Sequence, residues 1–157
     1  MSWSLALRNL CFIILQPGTV VGLVPWLILN GSQHGLPEAY RTHHYLAILV
    51  FLLGLLVLLH CVYGFATEGQ GTLSPLDPTT ALVTSGLYHY SRNPMYLGVM
   101  MMLLGEVVLT RSLFLGLYAA LVFIGFNLFV AFYEEPRLRK AFPEAFDAYS
   151  QQVNRWL

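Results

Sequence analysis

The sequence predicts an all-α integral membrane protein of about four transmembrane helices, with a short hairpin between the third and fourth and a C-terminal amphipathic helix. Three observations predict it. Of 157 residues, 57% are hydrophobic and only 10% charged, with a mean hydropathy of +0.63, whereas an ordinary soluble domain carries roughly 25% charged residues. Apolar residues gather in four segments, about 10–29, 45–66, 95–110 and 112–133. The first, second and fourth hold roughly 20 residues each, enough at about 1.5 Å per residue to cross a ~30 Å hydrocarbon core. The tail repeats apolar residues at Phe142, Phe146, Tyr149, Val153 and Trp156, with Glu144, Asp147, Gln151 and Asn154 between them, the spacing of an amphipathic helix beginning near Pro143. No repeat or second domain interrupts 1–157, so a single membrane domain is expected.

The first segment contains Pro17 and Pro25. Each frees a backbone carbonyl one turn earlier, which lipid tolerates only where a neighbouring helix or side chain satisfies it again, so a kinked, protein-packed helix is expected. A signal peptide would be shorter and end in an A-x-A-like site, which is missing here. Asn30-Gly31-Ser32 matches a glycosylation sequon but hugs a helix end and reads as a turn. In the second segment His60 reads as bonding a neighbouring carbonyl, with a role in the site as the alternative. The third segment is short, starts at Pro94 in the first helical position, and reaches its partner after only Thr110, Arg111 and Ser112. Glu106, inside it, reads either as a functional intramembrane acid or as one that pairs with Arg111 or snorkels.

Charge patterning gives the orientation. Arg8, Arg92, Arg137, Arg139, Lys140 and Arg155 fall on one side, and Arg41 and Arg111 on the other. That bias places both termini and the connection from 67 to 94 in the cytoplasm. Formal net charge is zero, so no bulk field draws nucleic acid. Cys11 and Cys61 lie in apolar runs without metal-ligand or disulfide spacing; both read as packing residues and no metal site is expected.

The connection from 67 to 94, TEGQGTLSPLDPTTALVTSGLYHYSRNP, is too long and too apolar for a tether, which argues for order and function. Gly69-Gln70-Gly71 lacks the G-x-G-x-x-G pattern and reads as a turn. At its end, Arg92 and Asn93 sit at the mouth of the third helix. A guanidinium beside a helix N-terminus is a seat for carboxylate or phosphate.

Two acids answer from the end of the fourth helix, Phe132-Tyr133-Glu134-Glu135-Pro136. Neighbours on an α-helix diverge by about 100°, so both are not expected to face one pocket. Asn127 lies two turns before Glu134 and shares its face, which makes Glu134 the inward acid and leaves Glu135 to pair with Arg139. A ligand carrying an α-carboxylate and an α-ammonium satisfies both seats. The amino-acid end of S-adenosylmethionine has that pattern, and so do free amino acids.

These residues resemble the isoprenylcysteine carboxyl methyltransferase family and its relatives, the integral membrane phospholipid methyltransferases. The hallmark R-H-P-x-Y-x-G is similar to Arg92, Pro94, Tyr96 and Gly98, and the E-E pair to Glu134 and Glu135. Gly86 to Tyr90 looks like the G-P-Y lead-in, and Gly69 to Pro78 like the glycine and proline loop of many bacterial members. The likeness covers about 66–157. It implies S-adenosylmethionine as cofactor, held by Tyr88, Arg92, Asn93, Tyr96, Gly98, Glu134 and Glu135 in a cytoplasmic pocket. An amine acceptor would have to lose a proton, for which Glu134 or Glu135 is the candidate; the tail reads as an interfacial anchor with Tyr149 and Trp156 in the aromatic belt, or as a lid over the pocket with Arg155 meeting an anionic acceptor. The implied acceptor is lipophilic, an isoprenylcysteine-like carboxylate or a phospholipid amine, reached through the membrane lipid. Asn93 stands where the family has histidine, and Phe142-Pro143 where Phe-Gly is common. Two other classes fit the same pattern. One is a nicotinamide-dependent membrane reductase akin to sterol reductases. The other is a non-catalytic four-helix protein assembled through Gly98, Gly105, Gly116 and Gly125.

Overall fold

The computed structural model describes residues 15–32, 41–67 and 82–157. Arg8, Cys11 and the stretch from Gly69 to Pro78 lie outside these residues. The described residues are helical or irregular and contain no strand.

The first helix is helical from residue 15 of the described chain, passes through a π-helical turn, Gly18–Leu23, and continues as α1, Val24–Gly31. Its break is a consequence of Pro25, which brings no N–H and whose ring opposes the carbonyl one turn back. The Val24 N–H reaches back five residues to the Thr19 carbonyl. The Val20 carbonyl is satisfied from another helix: the Tyr118 hydroxyl donates to it at 2.9 Å. The Thr19 hydroxyl donates to the Leu15 carbonyl. This is the kinked, protein-packed helix that the prolines required. Ser32 ends it, its hydroxyl donating to the Ile28 carbonyl at 2.7 Å, so Asn30 and Gly31 are the last helical residues and not, as expected, a turn.

Helix α2, Thr42–Thr67, packs along α3, Pro94–Thr110. Glycines allow the two backbones to touch. A Cβ on Gly54 would stand 2.6 Å from the Gly98 carbonyl oxygen, one on Gly98 2.8 Å from the Gly54 oxygen, and one on Gly105 2.7 Å from the Ala47 oxygen. Gly116 makes ordinary contact with Val107, and Gly125 faces open space, so only part of the expected glycine seam lies at a helix contact. Arg111 ends α3 in a left-handed conformation (φ 53°), and Ser112 caps α4, Leu113–Phe129. The left-handed turn carries the Arg111 side chain across to α2, where its Nη2 lies 2.8 Å from His43 Nε2. The expected Glu106–Arg111 pair is therefore absent, and Glu106 Oε2 is buried without a hydrogen-bonding partner among the described residues.

Helix α4 runs without a stop through a second π-helical turn, Val130–Glu134, into α5, Glu135–Ala141. Thr42–Gly64 and Leu113–Ala141 are each long and apolar enough to cross a membrane, whereas α3 is shorter. Their outward faces carry exposed Leu46, Leu56, Leu121, Leu128 and Phe132. Exposed apolar faces of that extent suit lipid and not water. The core where the helices meet is built from Val21, Leu58, Val99, Met102, Leu103 and Ala119.

The tail forms α6, Pro143–Gln152. It stops earlier than the apolar spacing suggests, because Val153 is extended (φ −122°, ψ 130°) and 153–157 run as a non-helical strap. The strap's carbonyls are taken by the segment before α3 and are not free to continue a helix.

Candidate functional site

The site assembles where the entry to α3, the second π-turn and the C-terminal strap converge. The chain approaches through a 3-10 turn, Gly86–His89. Gly86 has φ +60°, and a Cβ there would lie 3.1 Å from His60 Nε2, so glycine meets both a backbone and a steric demand. His60 thereby borders the lead-in and not the charged cluster. The turn sends Tyr88 inward, 8% exposed, with its hydroxyl bonded to Cys61. Burial above all pushes the Tyr88 hydroxyl pKa well above its ordinary value.

Ser91, Arg92 and Asn93 follow, and each gives one donor to the strap. The Arg92 N–H donates to the Asn154 carbonyl at 3.0 Å. Asn93 Nδ2 donates to the Arg155 carbonyl at 2.9 Å, while the Asn93 N–H donates to Ser91 Oγ at 3.1 Å. Position 93 thus spends its side chain on a neutral hydrogen bond to the backbone, a task an amide performs without titrating. Pro94 occupies the start of α3. Two residues on, the Tyr96 hydroxyl donates to Glu134 Oε2 at 2.8 Å and its ring tilts against Phe126.

Glu135 takes a different set of partners. Arg155 grips it with two bonds, Nε to Oε1 at 2.9 Å and Nη2 to Oε2 at 2.7 Å. Arg92 Nη1 lies 3.2 Å from the same Oε1. The bidentate geometry is the strong form of this interaction, and the Glu135 hydrogen bonds and charge raise the Arg155 pKa above its already high value. The Arg92 guanidinium rests 5.9 Å over the Phe146 ring, and its Nε is buried with no hydrogen-bonding partner among the described residues.

Two expectations about these acids do not hold. Glu135 does not pair with Arg139, which binds Asp147 at 2.8 Å. Asn127 does not share a face with Glu134; the two acids themselves do take different directions, Glu134 to Tyr96 and Glu135 to the two arginines. Asn127 Oδ1 accepts from Trp156 Nε1 at 3.0 Å, on the side of the strap and Glu135. The cause is the π-turn between Asn127 and the acids, which adds a residue to the helix and shifts its phase. Gly98 faces α2 at the backbone contact described above, away from the Tyr96–Glu134 pair.

Several residues of this region carry no chemical signal in the sequence. Ser91, 2% exposed, and Phe146 read there as ordinary loop and tail. Tyr149 reads as part of an interfacial face, yet its hydroxyl donates to the Tyr88 carbonyl at 2.6 Å, and burial pushes its pKa to about 12 despite the nearby positive charge of Arg92. Asn127 is the one amide of its apolar run, and that isolation was the available signal. The Trp156 ring packs against Phe123 and, through its bond to Asn127, ties the strap to α4.

The arrangement distinguishes its two acids. Glu135 is neutralised by two guanidinium groups, whereas the hydrogen-bonding partner of Glu134 is a neutral hydroxyl. A carboxylate whose hydrogen bond comes from a neutral hydroxyl can still take a cation, and a guanidinium with an unused buried N–H seeks an acceptor.

A family model described as phospholipid methyltransferase matches residues 42–145, which takes in α2 to α5 and stops short of the strap. Comparisons with curated proteins and with solved structures returned no match.

Proposed function

The chain belongs to the phospholipid methyltransferase family, and from that premise we propose that it transfers a methyl group from S-adenosylmethionine to a lipophilic acceptor at the cytoplasmic face of the membrane. The acceptor class comprises isoprenylcysteine-like carboxylates and phospholipid amines. The whole chain acts as one membrane domain, with the cofactor-binding part in about 66–157. Beyond the two long helices, the first helix and α3 make further crossings, so that α3 and α4 form a hairpin and both termini lie in the cytoplasm.

The observation that carries the reading is the unequal pairing of the acids. Glu134, whose hydrogen-bonding partner is the neutral Tyr96 hydroxyl, would hold the cofactor's ammonium. The unused Arg92 Nε, at the N-terminus of α3, would hold its carboxylate. The donor set therefore fits the zwitterionic end of S-adenosylmethionine. When bound, that cofactor supplies an electrophilic methyl group on a positively charged sulfur. Tyr88, Asn93 and Gly98 act around this grip: Tyr88 as a buried wall, Asn93 by fixing the strap, and Gly98 by bringing α3 against α2.

The protein's part in the transfer is positioning and exclusion of water. Good alignment of reacting groups is worth on the order of 7 kcal/mol or more. A carboxylate acceptor brings a charge opposite to the sulfonium, and a dry site covered by Phe146 and Trp156 favours their annihilation. It needs no base, and Arg155 would orient it. An amine acceptor must lose a proton, and Glu134 or Glu135 would receive it. Glu134 is the better placed, because no guanidinium occupies its oxygens.

The test is methyl transfer by the purified protein in lipid vesicles supplemented with membrane extract and radiolabelled S-adenosylmethionine. Label is expected in the lipid fraction and is expected to disappear with Glu134→Gln. Absence of label, together with calorimetric binding of NADPH but not of S-adenosylhomocysteine, would overturn the reading in favour of a reductase.

A further inference from the structure

Pro136 follows the two acids and touches neither partner set, yet the phase of the site depends on the backbone in front of it. The Glu135 N–H donates to the Val130 carbonyl, five residues back, where an α-helix would use Ala131. Pro136 itself donates nothing, and in a regular helix its ring would meet the Phe132 carbonyl. The widened turn absorbs one residue.

That single residue sets two pairings. Phe126 and Glu134 both meet Tyr96. Asn127 and Glu135 both meet the strap, through Trp156 and Arg155. Within each pair the members stand eight positions apart. In an uninterrupted α-helix that spacing leaves about 80° between side chains. With one residue taken up by the π-turn the angle falls to about 20°, so each pair shares a face. Exposed Phe132 and Tyr133 are turned outward by the same phase.

We infer that Pro136 is a positioning residue whose π-turn aims Glu134 at Tyr96 and Glu135 at Arg92 and Arg155. For its ligand the inference rests on the proposed methyl-transfer reading. Without the proline, the helix regains its regular hydrogen bond, the turn tightens, and both acids rotate away from their partners by about 100°.

The test uses the full-length protein in detergent and two variants, Pro136→Ala and Pro136→Ala with Ala131 deleted. S-adenosylhomocysteine affinity is expected to fall about tenfold or more in the first, the loss of a charged hydrogen bond. It is expected to return in the second, since deleting the extra residue restores the phase in a regular helix. A merely structural proline would give no rescue. Parent-like affinity in Pro136→Ala, or loss in both variants, overturns the inference. A Pro136→Ala chain that folds only when Ala131 is also deleted supports it, and one unfolded in both forms overturns it. If the parent binds no S-adenosylhomocysteine, the functional proposal fails separately, and a melting-temperature cycle of Tyr96→Phe with Glu134→Gln decides. Coupling in the parent that vanishes in Pro136→Ala supports the inference; any other pattern overturns it.

Discussion

The molecule contains the same backbone device twice. In the first helix the residue before Pro25 donates to a carbonyl five residues back, and near the end of α4 the residue before Pro136 does the same. Around the first turn the neighbours are apolar, and the Val20 carbonyl is satisfied by Tyr118. Around the second, two carboxylates are swung onto a hydroxyl and a pair of guanidinium groups. A proline in a membrane helix thus supplies only a phase shift and a demand for new partners. The side chains just ahead of it decide whether the result is packing or a site.

Removing the charges that make the second turn a site should have the largest effect. Arg92→Ala and Glu134→Ala are each expected to weaken S-adenosylhomocysteine binding by roughly 2 kcal/mol or more, as when one partner of a buried charged contact is truncated, while circular dichroism still reports intact helices. The first turn should show the reverse signature. Tyr118→Phe leaves the Val20 carbonyl without its donor, and a melting scan should register a loss of about 1 kcal/mol with ligand affinity unchanged. Should Tyr118→Phe weaken the ligand as much as Glu134→Ala, the two turns would not be separable in function.

A smaller effect is expected in alkali, at the cover over the second turn. The folded-state pKa of Tyr149 is raised from 10.0 to about 12, so its contribution is complete below about pH 10 and is lost as the pH climbs toward 12. Comparing melting temperatures over that window, Tyr149→Phe should show a shallower decline than the parent. Smallest of all, Pro25→Ala should leave ligand affinity unaltered and stability level or slightly raised, since it returns an N–H to the first helix.

Much of the frame was legible in the sequence because hydropathy and helix punctuation are local signals. Pro94 at the start of α3, Arg111 and Ser112 between α3 and α4, and Pro143 at the start of α6 all announced themselves in this way. The strap did not. Its apolar spacing continues the helical period through Val153 and Trp156, and only the tertiary bonds from Arg92 and Asn93 to its carbonyls straighten it. The π-turn escaped for a related reason: Val130-Ala131-Phe132-Tyr133 is apolar in every direction, so one added residue leaves no trace in the pattern. Helical arithmetic based on 3.6 residues per turn therefore joined Asn127 to Glu134, when each is displaced by one partner. Pro136, inside a run otherwise suited to a single straight helix, was the visible clue.

The central claim is that Glu134 grips an ammonium and Arg92 a carboxylate on one ligand. Calorimetric titration of the parent, Glu134→Ala and Arg92→Ala with S-adenosylhomocysteine and with its deaminated and decarboxylated analogues tests that claim most directly. Loss of the amine is expected to cost the parent about tenfold and Glu134→Ala nothing further, with the carboxylate and Arg92→Ala behaving in the same matched way. Penalties for the trimmed ligands that are equal in the parent and both variants would contradict the claim.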